Sequence, residues 1–172
     1  MQEVRSVAIL GAGAMGASYA SWFFNAGHCS TSLIASGERY ERLTKDGLVI
    51  NDRPYAFPVA NPDHANSAFD LIIVALKHHH LLQAVGDIKN MVGDDTTIIS
   101  VMNGLDSEEA LAEVYGWDKV LYAIAVGMDA ASDYPHQIGN LRRMVSSINE
   151  LALTAEEKEK ILGGSAKKLL GL

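Results

Sequence analysis

Val7-Ala8-Ile9-Leu10-Gly11-Ala12-Gly13-Ala14-Met15-Gly16 sets a short apolar run directly against a G-x-G-x-x-G turn. An apolar run without polar alternation reads as a parallel strand covered on both faces, and this one stops at Gly11. From Ala14 to Ala26 the positions Met15, Tyr19, Trp22, Phe23 and Ala26 recur at helical spacing, and Gly27 suits a left-handed C-cap. Strand, glycine turn and helix together form the context in which such a motif binds a dinucleotide. Gly11 permits the tight turn, Gly13 lets the backbone approach a pyrophosphate, and Gly16 lets the helix press on the strand. Ala12, Ala14 and Met15 complete the loop, and the helix start offers free N–H groups and partial positive charge to phosphates.

Working outward, Thr31 to Ala35 reads as a second strand, followed by a polar Ser36-Gly37-Glu38-Arg39 turn and a short helix from Glu38 to Lys45. Gly47-Leu48-Val49-Ile50 and Tyr55-Ala56-Phe57 form a hairpin across Asn51-Asp52-Arg53-Pro54, which is turn chemistry. Asp70 to Leu76 carries the strongest strand signal, and a helix is expected from His79 to Met91. Thr96 to Val101 and Lys119 to Val126 read as strands on either side of a helix from Ser107 to Val114. This alternation predicts an α/β, Rossmann-type doubly wound, mainly parallel sheet with helices on both faces. It occupies residues 1–139, leaving 140–172 as a helical tail. In that tail Leu141 to Glu150 reads as a helix, and Thr154-Ala155-Glu156-Glu157 is a capping box opening another. Ile161, Leu162, Ala166, Leu169 and Leu170 share one side, which is expected to close the domain's own core, with a dimer contact as the alternative.

The 172 residues include 14 Lys+Arg against 21 Asp+Glu, a formal net charge of −7, which argues against a nucleic-acid partner. With 48% hydrophobic residues the chain can build a core. No apolar run approaches the roughly 18–20 residues of a membrane span, and Val7 to Leu10 is too short for a signal-peptide core. Cys29 stands alone, so neither a disulfide framework nor a cysteine metal site is expected. The expectation is a cytoplasmic protein with no nucleic-acid or membrane partner.

Further candidates sit at strand ends, beyond which ligands of a doubly wound sheet bind. Ser36 occupies the position where an acid would bind the adenosine ribose and favour NAD. Ser36 can donate to a 2′-phosphate and Arg39 can supply charge, a combination that leans to NADP; Glu38 argues the other way, since it could reach a ribose hydroxyl. Lys77 leaves the strand ending at Leu76, placed to hold a carboxylate or ketone oxygen near a nicotinamide. His78-His79-His80 is read as a non-metal segment, because consecutive residues do not converge on one ion. Asn103 carries a donor and an acceptor on one side chain and is followed by Gly104, which also makes it an ordinary turn former.

Val7 to Gly16, Val74-Ala75-Leu76-Lys77 and Met102-Asn103-Gly104, in this order, resemble the N-terminal domain of the ketopantoate reductase (2-dehydropantoate 2-reductase) family over roughly Val4 to Gly139. The resemblance implies NADP(H) as cofactor, hydride delivery to the ketone of 2-dehydropantoate, a small 2-oxo acid, and pantoate as product on the route to pantothenate. It implies pyrophosphate binding by Gly11, Gly13 and Gly16, and places Lys77 and Asn103 at the nicotinamide ribose and substrate. The chain departs from the family at Ser36, where Arg is common, at His80, where Gln is common, and at Asp106, where a second glycine is usual. The family also has an all-helical second domain supplying a general-acid lysine, and this chain ends before one could begin. The last 25 or so residues are instead similar to the closing helix of TIM-barrel amidohydrolases, which points to a fused or truncated gene. Uncovered apolar surface would then favour a homodimer. Two other readings stand beside the reductase: a non-catalytic dinucleotide-binding or sensor module, and another Rossmann dehydrogenase acting on a hydroxy acid or sugar phosphate.

Overall fold

A computed structural model describes residues 3–65, 67–103, 106–123, 125, 130–131, 137–138 and 154. Strand β1 (Ser6–Leu10) is buried from Val7 onward because it is paired on both sides, with β2 (Ser30–Ile34) and with β6 (Leu71–Val74). Its side chains alternate between two cores. Ala8 and Leu10 join Ile72, Val74 and Ile98 on one face, while Val7 and Ile9 join Leu33 and Ile73 on the other. Period-two alternation between two apolar faces explains why the run carries no polar residue.

The sheet is six-stranded and parallel throughout, in the order β5-β2-β1-β6-β7-β8, with β5 (Val59–Ala60), β7 (Thr97–Ser100) and β8 (Val120–Leu121) completing it. The chain builds outward from β1 through β2 to β5, then returns to β6 and builds the other way. The switch point therefore lies between β1 and β6, as the doubly wound expectation requires. Helix α1 (Ala14–Ala26) covers one face through Ala17 and Ala20. Helix α2 (Gly37–Asp46) follows β2 and adds Leu43 to the same core. On the opposite face Leu81, Ala84 and Val85 of α3 (Leu81–Asp87) pack with Leu111 and Ala112 of α4 (Asp106–Tyr115). All these elements belong to one compact unit, Met1–Val126 with Ala130–Ile138; of the other, Gly127–Asp129 with Gly139–Leu172, only Thr154 is described.

The bounds of α1 agree with the sequence reading, and Gly27 closes it at φ 69° with its N–H bonded to the Phe23 carbonyl at 3.3 Å. Five segments differ. The hairpin of β3 (Leu48–Ile50) and β4 (Arg53–Tyr55) turns on two residues rather than four, with Asn51 and Asp52 at φ 49° and 62°. Asn and Asp tolerate that left-handed geometry, so Arg53 and Pro54 enter the strand. The expected helix from His79 to Met91 is broken into a tight turn at His78–His80, α3, and a second tight turn at Lys89–Met91. Burial of both Ile88 and Met91, and the bond from the Phe69 N–H to the Met91 carbonyl at 3.0 Å, pull its end out of α-helical spacing. Strand β8 spans two residues instead of the eight expected from Lys119 to Val126, of which Ile124 and Val126 lie outside the described residues. Strand β5 and the antiparallel pair β9 (Ala130–Ala131) and β10 (Gln137–Ile138) were not foreseen. The helices expected over 140–172 lie outside the described residues.

Candidate functional site at the switch point

Three strands release their chains at one level. Leu10 pairs with Val74, and Val74 with Ser100, so Gly13, Lys77 and Asn103 each lie three residues beyond a common row. The pairing runs on slightly past the strands: the Ala75 N–H donates to the Leu10 carbonyl and the Val101 N–H to the Val74 carbonyl, both at 2.9 Å.

The glycine turn is packed where it meets protein and open where a ligand would approach. Gly11 sits at φ +103°, and a Cβ there would lie 2.5 Å from the Ala75 carbonyl oxygen. A Cβ on Gly16 would lie 1.7 Å from the Gly11 carbonyl oxygen, so α1 rests directly on the turn. Around Gly13 a Cβ would meet nothing within 4 Å. Ala12 is buried, while Ala14 and Met15 are half-buried. Helix α1 has no side-chain cap and no acid in its first turn. Its leading N–H groups have no helical acceptor and face outward with the positive end of the helix dipole.

Beside the turn lies a cleft of about 190 Å³. Leu10 and Gly11 line it, with Ile34, Ala35, Ser36 and Arg39 from the β2 side. Pro62, Leu76, His80, Gln83, Ala84 and Asp87 complete the lining. The cleft thus brings together the sequence candidates Gly11, Ser36 and Arg39, with Leu76 beside them. Lys77 and Asn103 are exposed and are not among its lining residues. Desolvation, then the nearby Arg42 charge, lowers the Arg39 pKa, yet a guanidinium stays cationic. Arg39 forms no ion pair among the described residues. Burial, then the charge of Asp63, pushes the Asp87 carboxyl up. Gln83 and Asp87 escaped the sequence reading, although His80, Gln83, Ala84 and Asp87 follow the spacing of one helix face. Among the described residues no group of three or more His, Cys, Asp or Glu could hold a metal, and no helix is long and apolar enough to cross a membrane.

A family model described as "Ketopantoate reductase PanE/ApbA" matches residues 7–145. The chain belongs to the ketopantoate reductase family. It is 33% identical to the 2-dehydropantoate 2-reductase of Mesorhizobium japonicum over 103 residues, which cover 58% of this chain and 32% of that protein. It is 26% identical to the 2-dehydropantoate 2-reductase of Streptococcus pyogenes serotype M1 over 123 residues, covering 70% of this chain and 40% of that one. The match thus spans about two-fifths or less of these curated relatives. Among solved structures, D-mandelate dehydrogenase with NADH and anilino(oxo)acetate is similar in fold, with a TM-score of 0.70 at 22% identity over 78% of this chain and 46% of that one.

Within this ketopantoate reductase fold, buried polar side chains flank Asn103 in sequence. Ser100, Ser107 and Glu108 are buried, whereas Asp106, the departure from the family glycine, is exposed. The similarity of the final residues to an amidohydrolase helix falls outside the described residues.

Proposed function

We propose that this chain binds NADP(H) at the switch point and forms the coenzyme half of a 2-dehydropantoate 2-reductase, with residues 1–139 as the binding domain. One observation carries the reading: Ser36, Arg39, Gly11 and Leu76 share a single cleft beside a glycine turn that is open only at Gly13. In this reading the backbone of Gly11, Ala12, Gly13, Ala14, Met15 and Gly16 holds the pyrophosphate. The Ser36 hydroxyl and the Arg39 guanidinium hold the 2′-phosphate, since a partly desolvated cation strengthens a charge-assisted bond. Leu76 packs the cleft wall against the adenosine. Lys77 and Asn103, level with Gly13, address the nicotinamide ribose and a 2-oxo acid.

When bound, the coenzyme supplies hydride to a ketone carbon. The Lys77 ammonium offers positive charge to a substrate carboxylate or a developing alkoxide. Fluorescence titration with NADPH and NADH tests the binding. Saturable NADPH binding at least roughly tenfold tighter than NADH is expected from one charge-assisted contact. No binding of either would overturn the assignment, and a preference for NADH would remove the roles of Ser36 and Arg39.

A second reading, a dinucleotide-binding module without turnover, is favoured by the exposure of Lys77 and Asn103 outside the cleft. Following NADPH oxidation in the presence of 2-dehydropantoate separates the two, since binding without oxidation supports the module.

A further inference from the structure

Between the end of β7 and the first turn of α4 runs a chain of hydrogen bonds that the coenzyme reading does not use. The Met102 N–H donates to Ser100 Oγ at 3.3 Å, and Ser100 Oγ donates to Ser107 Oγ at 2.8 Å. Ser107 Oγ in turn donates to Glu108 Oε2 at 2.7 Å. All three side chains are buried, with exposures of 1% for Ser100, 2% for Ser107 and 6% for Glu108. The first turn of α4 holds three acids, Asp106, Glu108 and Glu109, but only Glu108 is directed inward. Its charge there meets the positive end of the helix.

We propose that Glu108 is a positioning residue for Asn103, acting through Ser107 and Ser100 on the backbone of Met102. A carboxylate can only accept, so Ser107 spends its single proton on Glu108 and must accept from Ser100. Ser100 spends its proton on Ser107, and its lone pairs face the Met102 N–H. Each hydroxyl that donates becomes a better acceptor, so the bonds reinforce one another in the dry interior. The chain starts on the solvent-shielded side of α4 and ends one residue before Asn103, whose own side chain is exposed. A neutral apolar residue at 108 would leave both hydroxyls free to rotate and the Met102 N–H weakly held.

The proposal rests on the reading that Asn103 contacts the nicotinamide ribose, and the test separates the two. In the full chain, amide hydrogen exchange of Met102 and the Asn103 side-chain amide shift report the chain of bonds without coenzyme. Ser107→Ala raises Met102 exchange roughly tenfold, the equivalent of one lost hydrogen bond, and moves the Asn103 signal. Ser107→Thr restores both, and Glu108→Gln, which keeps an acceptor oxygen without the charge, falls between. NADPH dissociation constants then rise roughly three- to tenfold in Ser107→Ala, but not further when Asn103→Ala is already present. If Ser107→Ala does not fold, Glu108→Gln carries the same comparison, with Ser107→Thr as the wild-type-like reference. Met102 exchange and the Asn103 signal unchanged in folded Ser107→Ala or Glu108→Gln would overturn the proposal, as would additive losses of affinity. Failure of the wild-type chain to bind NADPH would overturn the coenzyme reading alone, because the Met102 and Asn103 signals would still decide the positioning.

Discussion

At their carboxyl ends β1, β6 and β7 release Gly13, Lys77 and Asn103, and neither polar side chain makes a hydrogen bond among the described residues. At the amino ends of these same three strands the polar groups are spent on one another. Asp70 Oδ2 accepts from the Arg5 N–H at 2.9 Å, the Ser6 N–H at 2.8 Å and the Ser6 hydroxyl at 2.9 Å. The Ser6 hydroxyl oxygen accepts the Asp70 N–H at 3.0 Å. Thr96 Oγ1 donates to the Phe69 carbonyl at 2.7 Å and accepts the Gly93 N–H at 2.8 Å. These amino-end groups thus satisfy one another, as buried or half-buried polar groups normally do, whereas the Lys77 and Asn103 side chains hold their donors and acceptors in reserve. Substitutions should divide accordingly: amino-end changes move stability and leave coenzyme affinity alone, while carboxyl-end changes do the reverse.

Gly16 is where that division should break most sharply. Its Cβ in Gly16→Ala would overlap the Gly11 carbonyl, a backbone atom that yields only if α1 or the turn moves. A loss of about 3 kcal/mol in urea unfolding is expected, at the upper end of the usual overpacking cost, together with loss of NADPH binding. Gly13→Ala is the counterpart. Nothing lies within 4 Å of its Cβ, so stability should change by less than about 1 kcal/mol. NADPH affinity should still fall roughly tenfold or more, because the methyl group occupies the line of approach to the pyrophosphate. Equal stability loss in both variants would refute the distinction between packed and open glycines.

Arg39→Ala sharpens the carboxyl-end side. Losing one charge-assisted contact in a partly dry cleft should weaken NADPH binding by roughly ten- to a hundredfold, about 1.4–2.8 kcal/mol. NADH binding and the thermal midpoint should barely change. An equal loss for both coenzymes would mean that Arg39 shapes the cleft and does not read the phosphate.

How far the sequence could be read follows the same partition. The β1–α1 unit was legible residue by residue because two apolar faces and three glycines leave one arrangement. Lys77 and Asn103 were legible as residues leaving strand ends, but their common level with Gly13 rests on the pairing of Leu10 with Val74 and of Val74 with Ser100. Strand β5 was not legible, since two residues paired to β2 carry no periodicity. The break in the helix after His80 depends on where Ile88 and Met91 find the core, a tertiary matter. Glu108 looked like any acid in a first helical turn, and only burial shows that it points inward. Ser36 and Arg39 were found by their distance from Gly16, but Gln83 and Asp87 reach the cleft from a helix that the sequence placed without saying which side it shows.

The smallest effect expected lies at the amino end and is resolved by pH. The Arg5 backbone N–H, then the Ser6 hydroxyl and N–H, hold the Asp70 carboxyl below the ordinary carboxylate range. Because the folded-state pKa is depressed, the stabilisation is fully present above the unfolded-state value of about 3.9 and is lost as pH falls through the folded value. Asp70→Asn keeps an acceptor oxygen but removes the charge. It should cost about 1 kcal/mol at neutral pH, a modest figure because the carboxylate is half-exposed and its bonds are screened by solvent. The gap between the wild-type chain and Asp70→Asn should narrow steadily below about pH 4 and close once the carboxyl is protonated in the folded state. NADPH affinity should be the same in both proteins throughout the range where they remain folded. A gap that persists in acid would mean that shape, not charge, holds β1 to β6 at this end, and a change in coenzyme affinity would mean that the two ends of the sheet are coupled.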